Sequence, residues 1–456
     1  MNQETKNNRI LFEEMPPLKA LSVMAVPTVI SQLIILIYNM ADTFFLGKTN
    51  NPYMVAGASL ILPIYNVSIA FANIAGTGGG TLIARLLGRD QITDARRVAS
   101  FSFYFSILAG LFFSVGTFTL MHPLLTTLGA SNETYPYARQ YATCVIVAGA
   151  VPTILSMTLG NLLRNSGHAK EAGFGVSLGG ILNILLDPLF MFVLLPKGRE
   201  ILGAGIATAL SNCIVCVFFL TVVFRIKSPV LNFSPGNGLP GKKEIASFFA
   251  VGVPGAIGPF LFDLDYVVID RLMSSYSDIA LAAIGIVLKA ERLPLNIGVG
   301  LCLGMVPLAA YNYSAGNLDR MESFLTLTRR IGIIVGIVSI ILYELFSPLL
   351  ISVIIGDQQT IALGSQFLRI RAPATIVMFL SFIYVHFFQA VGHGKYALFL
   401  AVMRWALVNI PMLFLLNAIF GMYGIVWAQL VSDMLVAFVS WLIYRHFRKR
   451  QPGFAG

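Results

Sequence analysis

Residues 20–46 read ALSVMAVPTVISQLIILIYNMADTFFL, a stretch in which Asp42 is the only charged side chain. A membrane-spanning helix needs about 20 mostly apolar residues, so this stretch is long enough to cross a bilayer. The polar residues before it are not followed by a short apolar core with a small-residue cleavage site. We therefore expect the stretch to remain in the protein as a membrane helix and not to be removed as a signal peptide.

Apolar segments of this kind recur along the whole chain, separated by short polar clusters. They cover residues 20–46, 54–87, 95–121, 135–164, 172–195, 202–226, 243–273, 279–312, 322–346, 360–390, 396–419 and 422–445. A backbone in lipid must satisfy its own hydrogen bonds, and the alternating pattern of a membrane barrel is not seen. The segments predict an all-α polytopic membrane protein with twelve transmembrane helices.

The composition supports the same class. Hydrophobic residues make up 57% of the 456 residues, and charged residues only 11%, against about 25% in an average soluble domain. These values exclude a disordered chain, a coiled coil and an ordinary soluble enzyme. The net charge of +10 comes from short clusters of Lys and Arg between apolar segments, which indicates membrane topology and not nucleic-acid binding.

The distribution of basic residues predicts the orientation. Of the 31 Lys and Arg residues, we place 21 on the side that holds both termini, seven on the other side and three within spans. Cytoplasmic loops are enriched in Lys and Arg. We therefore expect a multi-pass protein of the cytoplasmic membrane with both termini in the cytoplasm.

An internal repeat divides the chain into two halves. Residues 164–170 (RNSGHAK) resemble residues 389–395 (QAVGHGK), and Pro27 and Gly88 correspond to Pro254 and Gly316, all at offsets of 225 to 228 residues. Such a repeat predicts two pseudo-symmetric six-helix lobes. We assign them as a cytoplasmic tail (1–19), an N-lobe (20–227), a cytoplasmic loop (228–242), a C-lobe (243–445) and a second tail (446–456).

Ionisable residues within a membrane are costly and suggest function. In the N-lobe they are Asp42 in span 1 and Asp187 in span 5, where Asn183 lies one turn earlier on the same helix face. Thr208 of span 6 can add a hydroxyl. These oxygen ligands suit Na⁺, and two nearby buried carboxylates can instead bind a proton. The residue types alone fit equally well with Asp42 capping a helix end and Asp187 preceding a turn at Pro188.

The repeat favours the functional interpretation. Asp42 corresponds to a position near Ile269, and Asp187 to a position near Ile410, beside Pro411. The prolines of the scaffold recur but these carboxylates do not, which indicates a role specific to the N-lobe.

The C-lobe carries its own charges within spans. Candidates for a polar cavity that meets substrate are Asp263, Asp265, Lys289, Glu291 and His386. Arg292, Arg404 and Asp433 are also within spans, so a buried network of ion pairs is the alternative. For His386, a hydrogen bond within its helix is the alternative to a cavity role.

The chain resembles the multidrug and toxic compound extrusion (MATE) family, and in particular its MepA-like branch. The resemblance rests on the two-lobe layout and on four motifs, which are residues 42–47 (DTFFLG), 183–188 (NILLDP), 203–208 (GAGIAT) and 307–316 (PLAAYNYSAG). It implies a V-shaped pair of lobes that alternate access and export organic, often cationic, compounds against inward movement of Na⁺ or H⁺. It also implies that Asp42, Asn183, Asp187 and Thr208 form the cation site.

The sequence departs from another branch of that family. In the NorM-like branch, acidic residues of spans 7 and 10 are functional. Here Asp263 lies near the span 7 position, but span 10 offers His386 and no carboxylate. We therefore do not expect a second-lobe site of the NorM type.

Together these features predict a secondary active exporter, not an enzyme, that works as a monomer in the bilayer. Its only cofactor would be the coupling ion, Na⁺ or H⁺, and its partner a small organic substrate and no nucleic acid. The alternative is a flippase or exporter of a lipid-linked precursor or of one dedicated natural product. An enzyme is disfavoured because the sequence has neither an HExxH motif nor an extended soluble segment.

Overall fold

The computed structural model describes residues 9–451, and within that range the chain is helical and contains no strand. Ten helices are long and apolar enough to span a membrane, and two bent pairs raise the number to twelve. The spans are α1 (Pro17–Gly47), α2 (Pro52–Gly88), α3 (Ile92–Thr119), α4 (Tyr135–Ala148 and Ala150–Asn165), α5 (Ala169–Leu194), α6 (Glu200–Ile226), α7 (Lys242–Ser274), α8 (Asp278–Ser314), α9 (Leu318–Ser352), α10 (Gln358–Arg371 and Ala374–Ala390), α11 (Gly394–Phe420) and α12 (Met422–Lys449). The all-α prediction with twelve spans is confirmed.

Local sequence fixes where several of these helices begin. Proline stands at the first position of α1 and α2, where its missing N–H costs no helical hydrogen bond. The Asn51 side chain caps α2 by accepting from the backbone N–H of Tyr53. At the start of α10, Asp357 accepts from the side chain and backbone of Thr360, and these bonds hold the pKa of this exposed carboxyl below its ordinary value.

The two halves of the chain share one bend. The segments of α4 meet at 49°, next to Gly149, and those of α10 also meet at 49°, at residues 372–373. Pro373 removes a backbone donor at the second break, which explains why the helix bends there. Because α4 and α10 are the fourth span of each half, the bends confirm two pseudo-symmetric six-helix lobes.

The lobes meet where glycines allow backbones to approach. A Cβ on Gly304 of α8 would lie 2.5 Å from the Cα of Ala25 in α1, and one on Gly252 of α7 would lie 2.4 Å from the carbonyl oxygen of Ile74 in α2. Small residues serve this purpose in membrane helix packing. These contacts lie toward the end of the bundle that holds the termini, since α1 and α7 begin there while α2 and α8 end there.

The residues before α1 add a further link between the lobes. Phe12 is fully buried and stacks on Tyr311 of α8 at 4.6 Å between ring centroids. Its carbonyl oxygen accepts from Asn312 at 3.1 Å and from Arg320 of α9 at 2.6 Å. Tyr311 also donates to Glu13 at 2.6 Å. The chain leading into the N-lobe is therefore bound to the C-lobe by Tyr311, Asn312 and Arg320. Residues 1–8 of the predicted tail lie outside the described range.

The glycine contacts lead to a prediction on stability. Gly252→Ala should lower the unfolding free energy by about 1–3 kcal/mol, because the new methyl group meets the backbone of Ile74 and overpacks the lobe interface. The measurement is the unfolding temperature of the purified protein in detergent.

Gly258 is the matched control, since it lies in the same helix and a methyl group placed there would have no atom within 4 Å. Gly258→Ala should leave stability unchanged or raise it by up to about 1 kcal/mol, because alanine favours the helix. Equal effects of the two substitutions would contradict the close approach of α2 and α7.

Candidate functional site

Three of the residues predicted for the N-lobe site lie in direct contact. Asp187 is 0% exposed and sits at the end of the regular part of α5, where Pro188 is followed by a π-helical turn, Leu189–Leu194. The side-chain nitrogen of Asn183 lies 3.4 Å from Asp187 Oδ1 and 3.3 Å from Thr208 Oγ1 of α6. The i,i+4 spacing in α5 and the neighbouring α6 thus place a carboxylate, an amide and a hydroxyl together.

Asp42 approaches this group from α1. It is half-buried and interacts electrostatically with Asp187. Asp42 Oδ1 and Asp187 Oδ2 are both buried without a hydrogen-bond partner among residues 9–451. Within the same range, no basic side chain is found to interact with either carboxylate. A buried carboxylate oxygen without a donor is costly, and a cation or a proton would remove that cost.

The packing of α1 against α5 sets the distance between the two carboxylates. A Cβ on Gly173 would lie 2.6 Å from the carbonyl oxygen of Pro27, and one on Gly180 would lie 2.7 Å from Ile34. Any larger residue at these glycines would push α1 away from α5. The two glycines therefore keep Asp42 close to Asp187.

Tyrosines that the sequence did not single out complete the surroundings. Tyr38 lies one turn before Asp42, and Tyr65 of α2 and Tyr141 of α4 are also close enough to interact electrostatically with that carboxylate. Nearby, Asn212 of α6 donates to Thr153 of α4 at 2.9 Å. In the sequence, only their polarity within apolar spans could have indicated that these residues belong to the site. Tyrosine is too common in membrane helices for that indication to be specific.

The C-lobe contains two buried ion pairs. Arg371, at the bend of α10, is 2% exposed and binds Glu291 of α8 through two parallel contacts of 2.7 and 2.9 Å. Arg404 of α11, also 2% exposed, lies 2.9 Å from Asp433 of α12. Arg371 lies within the tenth span, at its bend, with its side chain buried in the lobe.

Uncharged amides connect the pair of Arg404 and Asp433 to Asp265 of α7. Asp265 is 0% exposed, and its Oδ1 accepts from Asn409 of α11 at 2.7 Å. The side-chain nitrogen of Asn409 also lies 3.5 Å from the side-chain oxygen of Gln429, and the side-chain nitrogen of Gln429 donates to Asp433 at 2.7 Å. A small cavity adjoins this network and is lined by Phe262, Tyr266, Glu291, Arg371, Arg404 and Trp405, among others.

The other C-lobe candidates lie elsewhere. Asp263 faces the N-lobe and accepts from Asn66 of α2 at 2.9 Å. Lys289 is exposed on α8, and His386 bonds to the carbonyl oxygen of Phe382 in its own helix at 2.8 Å. The structure thus gathers Asp265 and Glu291 in one network and separates them from Asp263, Lys289 and His386.

Comparison with known proteins identifies the family. The profile of the MatE family matches residues 27–189 and again residues 254–415, once in each lobe. The chain belongs to the MatE family. It is 30% identical over 440 residues to the multidrug export protein MepA of Staphylococcus haemolyticus (strain JCSC1435) and 29% identical over 440 residues to MepA of Staphylococcus aureus (strain MSSA476). Each alignment covers 96% of both chains.

Solved MatE-type structures share the fold. A structure described as the outward-facing conformation of a multidrug resistance MATE family transporter of the MOP superfamily matches with a TM-score of 0.90 over 98% of both chains, at 20% sequence identity. The resemblance to the MATE family and its MepA-like branch is confirmed.

The ion pair between Arg371 and Glu291 leads to a prediction. Arg371→Met alone should lower the unfolding free energy by about 3–5 kcal/mol, because it leaves the Glu291 carboxylate buried without its partner. Replacing both residues by methionine should recover most of that loss. Chemical unfolding of the three variants in detergent measures the difference, and equal losses in the single and the double variant would contradict a closed pair.

Proposed function

We propose that this protein is a secondary active exporter of small organic, often cationic, compounds, driven by inward movement of Na⁺ or H⁺ through the N-lobe. The observation that carries the proposal is the pair of carboxylates Asp42 and Asp187, which interact electrostatically and each have a buried oxygen that lacks a donor. The relatives named multidrug export proteins support a small organic substrate. One chain contains both lobes, so a monomer suffices.

The donor set supports either coupling ion. Carboxylate, amide and hydroxyl oxygens are hard ligands that suit Na⁺. A single proton shared between Asp42 and Asp187 would also relieve their repulsion. The site therefore binds one positive charge in either form, and Asn183 and Thr208 orient the Asp187 carboxylate toward it.

Coupling follows from the position of α1 between the lobes. This helix carries Asp42 next to α5, and it also packs through Ala25 against Gly304 of α8 in the other lobe. A cation drawn between Asp42 and Asp187 favours one position of α1 over another. A ligand shifts a conformational equilibrium only through such differential binding, so the cation changes the contact between lobes on which alternating access depends.

The proposed orientation puts both termini in the cytoplasm, where the excess of Lys and Arg is expected. The glycine contacts between lobes then lie on the cytoplasmic side, and the arrangement is the one that opens outward. The fold similarity to an outward-facing transporter supports this assignment.

The test is efflux from proteoliposomes loaded with an organic cation, under a Na⁺ gradient or a pH gradient imposed separately. The wild type should transport under at least one gradient. Asp187→Asn and Asp42→Asn should each lower gradient-driven transport by about a hundredfold or more, because a neutral amide loses the charge that binds the cation.

Asp270→Asn is the matched control, since it removes an exposed carboxylate from the outer half of α7. It should transport like the wild type. Full transport by Asp42→Asn and Asp187→Asn would overturn the proposal, and movement of a lipid-linked precursor without efflux of the organic cation would replace it with a flippase.

A further inference from the structure

The buried network of the C-lobe occupies the position that corresponds, by the internal repeat, to the N-lobe cation site. The site uses α1, α5 and α6, and the part of the network around Asp265, Asn409 and Asp433 uses α7, α11 and α12, which are the first, fifth and sixth spans of the other lobe. Asn183 lies fifteen residues beyond His168, and Asn409 lies sixteen beyond His393. The π-helical turn Met403–Asn409 accounts for the added residue. The two asparagines therefore occupy corresponding positions, and each donates to a buried carboxylate.

The carboxylates are arranged differently around these asparagines. In the N-lobe they come from the first and fifth spans, as Asp42 and Asp187. In the C-lobe they come from the first and sixth spans, as Asp265 and Asp433. The repeat aligns Asp265 with Tyr38, one turn before Asp42, so the C-lobe pair is a separate arrangement and not a copied motif.

What distinguishes the C-lobe is a cation that belongs to the chain. The Arg404 guanidinium lies 2.9 Å from Asp433 and also interacts electrostatically with Asp265. The rings of Phe382 and Trp405 lie 4.3 and 4.4 Å from its central carbon. Such aromatic faces attract a cation. They hold the guanidinium beside Asp433, whereas in the N-lobe no salt bridge is formed by Asp42 or Asp187 among the described residues.

We propose that Arg404 is a tethered cation that fills the C-lobe counterpart of the cation site and thereby confines ion coupling to the N-lobe. The inference rests on the proposed function, since it takes the N-lobe site to bind the coupling ion. Residues 175–180 of α5 (GVSLGG), which correspond to the stretch around Arg404, contain no basic residue. The N-lobe therefore has nothing to compete with a mobile ion.

The charges explain why the guanidinium excludes a second ion. The C-lobe network contains three carboxylates, Asp265, Glu291 and Asp433, and two guanidinium groups, Arg371 and Arg404. Arginine stays protonated at any physiological pH. Arg404 therefore keeps its positive charge, and as part of the chain it cannot diffuse away. That charge repels Na⁺ or H⁺ from Asp433. Asp42 and Asp187 carry two negative charges without such a partner, so a cation gains more electrostatic binding energy there.

The test counts bound cations in the purified full-length protein, with ²²Na⁺ binding and proton release as two readouts. It compares the wild type with Asp187→Asn and with Asp187→Asn/Arg404→Gln. We expect one cation, Na⁺ or a proton, in the wild type and none in Asp187→Asn. The double variant should regain one, because removing the guanidinium exposes Asp433. Adding Asp433→Asn should abolish the regained binding, and Asp187→Asn/Arg404→Lys should show none.

Arg404→His in the Asp187→Asn background keeps the proposal testable if the glutamine variant fails to fold. Protonated imidazole is still a tethered cation, whereas neutral imidazole is not, so the same protein should gain Na⁺ binding only as pH rises above the imidazole pKa, ordinarily about 6.5. A folded Arg404→Gln or Arg404→His variant that gains neither Na⁺ nor proton binding would overturn the proposal. Equal cation binding by wild type and Asp187→Asn would instead refute the N-lobe site of the proposed function. The change in cation binding on removing Arg404 would still test the C-lobe proposal by itself.

Discussion

Compensation of buried charge is the constraint on which the rest of this structure depends. Within a bilayer an isolated carboxylate or guanidinium is costly, and it must find a partner, bind an ion or lose its charge. The C-lobe meets the constraint internally, with Arg371 on Glu291 and Arg404 on Asp433. The N-lobe leaves Asp42 and Asp187 without a basic partner in the described chain. The C-lobe thus supplies cations from its own chain to two of the three carboxylates in its network, whereas under the proposed function the N-lobe carboxylates take a cation from solution.

The backbone scaffold makes that difference mechanically useful. Both lobes have the same order of six spans and the same 49° bend in the fourth. Glycines let α1 and α2 approach α8 and α7 so closely that a methyl group would not fit. The two lobes therefore share a close, nearly symmetric contact. Under the proposed function, this symmetric frame would convert cation binding near Asp187 into a change in the contact between lobes.

The sequence predicted the spans and the N-lobe site for identifiable reasons. Long apolar segments have few alternatives in a membrane, and the spacing of Asn183 and Asp187 fixes them on one helix face. The charges within spans also indicated Asp265, Glu291, Arg404 and Asp433 as polar residues of the C-lobe, but not which of them pair. Asn409 and Gln429 carry no charge and gave no signal. The pairing of Arg371 with Glu291 was not predicted, because the two residues lie 80 positions apart and only the packing of α10 on α8 brings them together.

The segment before α1 has a practical consequence. Phe12, Glu13 and Met15 are held by Tyr311, Asn312 and Arg320, which belong to the opposite lobe. This segment therefore links the two lobes where they meet. If the lobes alternate access as proposed, a purification tag or fluorescent protein fused close to residue 9 would disturb this contact, and preparations that differ only in such a fusion should differ in the balance between the two access states.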